Sequence, residues 1–98
     1  MYVVIRKFRK MRSVAEAARR AESGIGQMLK GSPGFRGYYV FDAGDGAGGS
    51  VTLFEDKATA LAANEKAIAW VKGSLADLIE GELEVTVGEV LVAMTPPS

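Results

Sequence analysis

The run Pro33-Gly34-Phe35-Arg36-Gly37-Tyr38-Tyr39-Val40-Phe41-Asp42 is dense in aromatic and β-branched residues. After a connection containing four glycines, Ala43 to Gly49, comes a second such run, Ser50-Val51-Thr52-Leu53-Phe54-Glu55-Asp56, and then an alanine-rich stretch. Two apolar runs joined by a glycine-rich connection read as an antiparallel hairpin. Asp56 ahead of the alanines reads as a helix cap. A hairpin that delivers the chain into a helix fixes the middle of the fold and leaves few arrangements for the flanks.

Tyr2 to Phe8 is rich in β-branched and aromatic residues and reads as a strand. Ser13 with Glu16 forms a capping box, and Val14, Ala17, Ala18, Ala21, Ile25, Met28 and Leu29 recur at helical spacing. Gly24 and Gly26 weaken the second half of this helix by about 1 kcal/mol each relative to alanine, and Gly31-Ser32-Pro33 stops it. Gly44, Gly46 and Gly49 match the spacing G-x-G-x-x-G, but a dinucleotide site needs a helix N-terminus directly after the glycines, and here a strand follows. The second helix runs to about Lys72. Gly73 interrupts it, with Ser74 and Asp77 capping a last turn through Ile79. Leu83 to Met94 reads as the final strand, and residues 95–98 as a flexible tail. The order is βαββαβ in one domain spanning residues 1–98: an α+β, ferredoxin-like fold with a four-stranded antiparallel sheet and two helices on one face.

A sheet with one face in water alternates apolar and polar residues. These strands do not. Val3 and Ile5 oppose Tyr2, Val4 and Phe8; Phe35, Tyr39 and Phe41 oppose Tyr38 and Val40; Val85, Val87 and Leu91 oppose Val90, Val92 and Met94. Roughly eight large side chains would be left on an uncovered face, at about 1.5 to 3 kcal/mol each when fully buried. That sum rivals the stability of a whole domain. A twofold partner offering the same surface is the expected cover, so the sequence predicts a homodimer.

Composition removes several function classes. Cysteine and histidine are both absent, which excludes disulfides, thiolate metal sites, a cysteine nucleophile and the commonest general base and haem ligand. No metal site and no cofactor are expected. Met1-Tyr2-Val3-Val4-Ile5-Arg6 is too short an apolar run for a signal segment or a membrane span, so a cytoplasmic location without membrane contact is expected. Residues 1–36 hold nine basic and two acidic residues, and residues 37–98 hold three and ten. In one compact domain the two halves interleave and neutralise each other. The run Arg6-Lys7-Phe8-Arg9-Lys10-Met11-Arg12 has the look of a nucleic-acid patch, but no RNP1-like strand accompanies it and the dimer covers the sheet face such binding needs. No nucleic-acid partner is expected.

The βαββαβ order, the Pro-Gly-Phe at the start of the second strand, and Phe54-Glu55-Asp56 leading into a helix with Trp70 near its end together resemble the dimeric α/β-barrel superfamily. Within it the chain is most similar to the antibiotic-biosynthesis-monooxygenase-like (ABM) branch. The resemblance spans residues 2 to 94. It implies oxidation of an electron-rich aromatic small molecule without a cofactor, with an Asn, a Trp and a Tyr lining a pocket between helices and sheet. In such chemistry the substrate anion itself donates an electron to oxygen, and the protein binds, helps deprotonate and excludes water. The lack of histidine departs from the haem-degrading relatives.

The candidate residues are few. Asn64 falls inside the helical stripe of Leu61, Ile68, Leu75 and Ile79, where a polar amide needs partners: a substrate oxygen, or a nearby backbone group. Trp70 is about 120° around the helix from Asn64 and points away from that stripe. Tyr38 and Tyr39 are consecutive in a strand and face opposite sides. Asn64 and Tyr39 are the catalytic candidates, and Tyr38, Trp70 and Arg36 are candidates for the ligand pocket, with a structural role open for each: core packing for the aromatic residues, and a carboxylate partner for Arg36. Two readings of function remain: a cofactor-independent monooxygenase acting on an aromatic small molecule, and a non-catalytic ligand-binding or structural dimer on the same fold.

Overall fold

A computed structural model of the chain describes residues 1–97; the last residue of the tail expected to be flexible lies outside the described residues. The elements run β1 (Tyr2–Phe8), α1 (Val14–Ser23), α2 (Ile25–Lys30), β2 (Phe35–Gly44), β3 (Ala47–Phe54), α3 (Lys57–Ser74) and β4 (Leu83–Glu89). The strands form one antiparallel sheet in the order β2-β3-β1-β4, and the helices pack against one face. This is the expected ferredoxin-like α+β arrangement. No helix among the described residues is long and apolar enough to cross a membrane.

The hairpin is tighter than the sequence suggests. In place of a long glycine loop, β2 and β3 continue almost to each other and turn through Asp45 and Gly46, with φ of 54° and 82°. Two consecutive positive φ values are what a two-residue hairpin turn needs, and Asp-Gly supplies them cheaply. Gly48 and Gly49 are therefore strand residues. A Cβ on Gly48 would stand 2.7 Å from the Phe41 carbonyl oxygen and 3.0 Å from Val14 Cγ1, so its lack of a side chain lets α1 settle on the sheet.

The first helix is two helices. Gly24 leaves the helical region (φ −107°, ψ −98°), its N–H donates to the Arg20 carbonyl to close α1, and α2 starts afresh. At the other end of α1, Ser13 Oγ accepts from the Glu16 N–H at 3.1 Å, but the Glu16 carboxylate turns to Arg19 and Arg20 instead of completing a capping box. Hydrogen bonds from those two arginines hold its carboxyl down at about 2.

Asp56 caps α3 as expected, accepting from the Thr59 N–H at 2.9 Å. The helix runs through Gly73, whose missing side chain has nothing near it, and the expected last turn follows, with the Leu78 and Ile79 N–H groups donating to the Leu75 carbonyl at 2.9 and 3.1 Å. Asp77 pairs with Arg20, at 2.8 Å. The buried stripe of α3 also differs from the expected one: it is Ala60, Ala63, Ala67 and Val71, whereas Leu61 is 41% exposed. Alanines on the inward face let the helix axis lie close to the sheet, over Val4 and Phe54.

Two apolar clusters make up the core, one around Val4, Leu29 and Phe54 and one around Phe8, Val14 and Val71, and Trp70 packs against both. The phenyl rings of Phe35 and Phe54 meet edge to face with centroids 6.0 Å apart. A register shift between Phe35 and Gly37 turns Phe35 toward the helices, correcting its expected place beside Tyr39 and Phe41. Val87 likewise packs inward, and β4 ends at Glu89, five residues short of the expected Met94. The face away from the helices carries Val3, Ile5, Tyr39, Phe41, Val51 and Leu53, which follow one another across the ladder. The charged halves interleave as expected: Arg9 with Glu84, Arg12 with Glu80, Arg20 with Asp77 and Arg36 with Glu55.

Candidate functional site

Alternation along β1 sends Val4, Arg6 and Phe8 to the helix face, and Arg6 is only 3% exposed there. Its guanidinium is held by three neutral oxygens. Nε donates to Ser50 Oγ at 3.2 Å, Nη1 to Asn64 Oδ1 at 2.7 Å, and Nη2 to Thr52 Oγ1. Ser50 lies directly opposite Arg6 in the β1–β3 ladder, Thr52 is the next β3 residue on the same face, and Asn64 comes down from α3. The network thus ties the two central strands to the long helix.

The electrostatics follow from burial. Burial pulls the Arg6 pKa down, against a smaller upward pull from Tyr38, and pushes the Tyr38 phenol up, against the guanidinium. Taking a charge out of water costs several kcal/mol. Each hydrogen bond from an ionised donor returns about 1.5 to 3 kcal/mol, so the three bonds offset much of that cost.

Arg6 lines one end of a pocket enclosed by the sheet, the two short helices and α3. The walls are apolar, with Phe8, Val14, Ile25, Trp70 and Val71 among them, and the polar groups are Arg6, Tyr38 and Ser50. Val40, 39% exposed on edge strand β2, also lines it and marks the open side. The free space is about 30 Å³, room for about two waters, so a larger occupant has to displace side chains.

The expected site residues divide accordingly. Asn64, Tyr38 and Trp70 come together: Asn64 through its bond to Arg6, the other two as pocket walls. Asn64 and Trp70 keep the separation of about 120° read from the sequence, but the buried stripe of α3 lies between them. Measured from Ala60, Asn64 lies about 40° to one side of the buried face and Trp70 about 80° to the other, so the two flank it. Tyr39 is apart from them, 63% exposed on the opposite face of the sheet. Arg36 is at the surface, bonded to Glu55 at 3.0 Å. Arg6 is the residue that sequence reasoning passed over, as one of a basic run. Its signal was parity: it sits two residues from Val4 and two from Phe8 in an alternating strand. No group of three or more acidic residues is arranged to hold a metal ion among the described residues.

The kink between α1 and α2 serves this pocket. A Cβ on Gly24 would stand 2.8 Å from Trp70 Cζ2, and one on Gly26 would stand 2.9 Å from the Ala21 carbonyl oxygen and 3.5 Å from the Tyr38 ring. The glycines that weaken the helix make room for the two aromatic walls.

No family model matches the chain, and no curated protein matches it in sequence. Solved structures do share its fold. A protein of unknown function from Nitrosomonas europaea, NE2512, superposes with a TM-score of 0.79 at 17% identity, over 99% of this chain and 95% of that one. A monooxygenase from the gene ActVA-Orf6 of Streptomyces coelicolor, in complex with nanaomycin D, gives 0.74 at 16% identity over 98% and 92%. SnoaB, a cofactor-independent oxygenase from Streptomyces nogalater, gives 0.75 at 12% identity over 97% of each. The chain therefore has the ABM-type fold that the sequence suggested.

Replacing Gly24 by alanine is expected to push Trp70 off its seat and cost about 1 to 3 kcal/mol by overpacking, despite alanine's better helix propensity. Urea unfolding followed by the emission of Trp70, the single tryptophan, measures this. Unchanged stability and emission would show that Gly24 does not hold the ring.

Proposed function

We propose that the chain is a homodimeric, cofactor-independent monooxygenase-like protein whose helix–sheet pocket takes an electron-rich aromatic small molecule. The observation that carries this reading is the shared pocket of Tyr38 and Trp70, ended by Arg6, which Asn64 holds from outside the pocket walls. Proteins of the same fold include a cofactor-independent oxygenase and a monooxygenase bound to nanaomycin D. The chemistry suits a site with neither histidine nor cysteine. A methylene between aromatic rings, once deprotonated, gives an electron to dioxygen; the resulting peroxide loses water and leaves a carbonyl, so one dioxygen supplies the carbonyl oxygen and the water without an external reductant. The apolar walls exclude bulk water from that sequence. The Tyr38 phenol, pushed up by burial, stays protonated at neutral pH and donates a hydrogen bond to a substrate oxygen. Asn64 positions Arg6.

The second copy in the dimer covers the face bearing Val3, Ile5, Tyr39, Phe41, Val51 and Leu53. A non-catalytic ligand-binding dimer is the second reading. It is favoured by the small free space and by the lack of any carboxylate among the pocket walls.

Oxygen uptake with a panel of anthrones and quinols separates the two. The monooxygenase reading expects turnover with at least one of them and a loss of tenfold or more in Asn64→Ala; equal rates remove Asn64 from the mechanism, and no uptake with any substrate favours the second reading. Light scattering at micromolar concentration is expected to give twice the 10.4 kDa chain mass, and Tyr39→Lys is expected to shift it toward monomer. A stable wild-type monomer would contradict the dimer.

A further inference from the structure

We infer that the pocket is an oxyanion site: Arg6 is the counter-charge for an aromatic ligand bearing a carboxylate, phenolate or enolate oxygen, and the protein selects the ionised ligand over its neutral isostere. This rests on the reading that the pocket takes an aromatic molecule, and is independent of whether that molecule is oxidised.

The arginines of this chain provide an internal comparison. Arg9, Arg12, Arg19, Arg20 and Arg36 each sit beside a carboxylate, at 2.5 to 3.2 Å. All of these pairs are at or near the surface, where pairing matters least. Arg6, 3% exposed, is where an unpaired charge is most costly, and it has no carboxylate partner among the described residues. Ser50, Thr52 and Asn64 are all neutral. A fold that needed only a filler at this position would be better served by an apolar residue of the same length.

Donor geometry adds a second argument. A guanidinium has five N–H donors in a fixed fork, and the protein takes one each from Nε, Nη1 and Nη2. One N–H on each terminal nitrogen is left, the pair that engages a carboxylate or a single oxyanion. The same side chain lines the cavity, and the cavity walls contain no aspartate or glutamate that would compete for it. Apolar walls also strengthen any charge interaction made there. The small free space fits the charged end of a ligand; its ring enters by displacing the side chains along the Val40 side. Three bonds to the protein fix the guanidinium beforehand, so little ordering remains to be done on binding.

Calorimetric titration with 2-naphthoate and 2-naphthamide, which match in shape and differ in charge, tests this without any turnover. The wild type is expected to bind the naphthoate at least tenfold more tightly. Arg6→Met is expected to abolish the difference, and Arg6→Lys to keep part of it. Equal affinities in the wild type would overturn the inference, as would binding of neither probe or a preference that survives in Arg6→Met; Arg6 would then be a structural arginine only. The wild-type comparison stands even if Arg6→Met fails to fold. A protein that takes up no oxygen but still selects the naphthoate would lose the monooxygenase reading and keep this one.

Discussion

The guanidinium of Arg6, sunk between two β3 hydroxyls and the Asn64 amide, is the interaction around which the rest of the molecule is arranged. A charge this deep imposes conditions on everything near it. The two central strands must hold register so that Ser50 stands opposite Arg6 and Thr52 one step along the same face. The long helix must come close enough for an amide on its flank to reach Nη1 at 2.7 Å. A one-residue slip of β1 would bring a neighbour to the inner face and put the arginine on the outer one, so the network and the register support each other.

Close approach is achieved by leaving atoms out. The inward face of α3 is made of Ala60, Ala63 and Ala67, and α1 comes to rest over Gly48. Gly24 between α1 and α2, and Gly26 in the first turn of α2, leave the space against which Trp70 and Tyr38 lie. Small residues where elements cross and large ones in the space between them give a pocket with two aromatic walls and one charged end. The same economy leaves the far face of the sheet apolar, because every helix is on the other side.

The fold was legible in the sequence because its signals are local: the strand from Tyr2 to Phe8, the Asp56 cap and the paired apolar runs each speak for themselves. The errors came where a residue's meaning depends on a distant neighbour. The α3 stripe was assigned to Leu61 and Ile68 because large apolar residues are presumed inward, but this interface is too close for leucine and selects alanine. By local propensity Gly24 and Gly26 are helix defects; their purpose lies in Trp70 and Tyr38, which are distant in sequence and rest against them. Asn64, Tyr38 and Trp70 were picked out by residue type and resemblance. Arg6 was passed over because, at the head of four further basic residues from Lys7 to Arg12 broken only by Phe8 and Met11, charge suggested solvent. Only the strand's alternation said otherwise, and its partners lie more than forty residues away.

The central claim is that Arg6 is a fixed, protonated and buried guanidinium with no carboxylate beside it. Nitrogen-15 NMR of the arginine side chains addresses it most directly, with exposed Arg36 as the reference in the same sample. Arg6 is expected to give resolved, slowly exchanging Nη hydrogens, because three bonds stop rotation about its terminal C–N bonds and burial keeps water away. A single averaged signal, exchanging as fast as that of Arg36, would mean that the guanidinium is solvated and mobile, and would contradict the account.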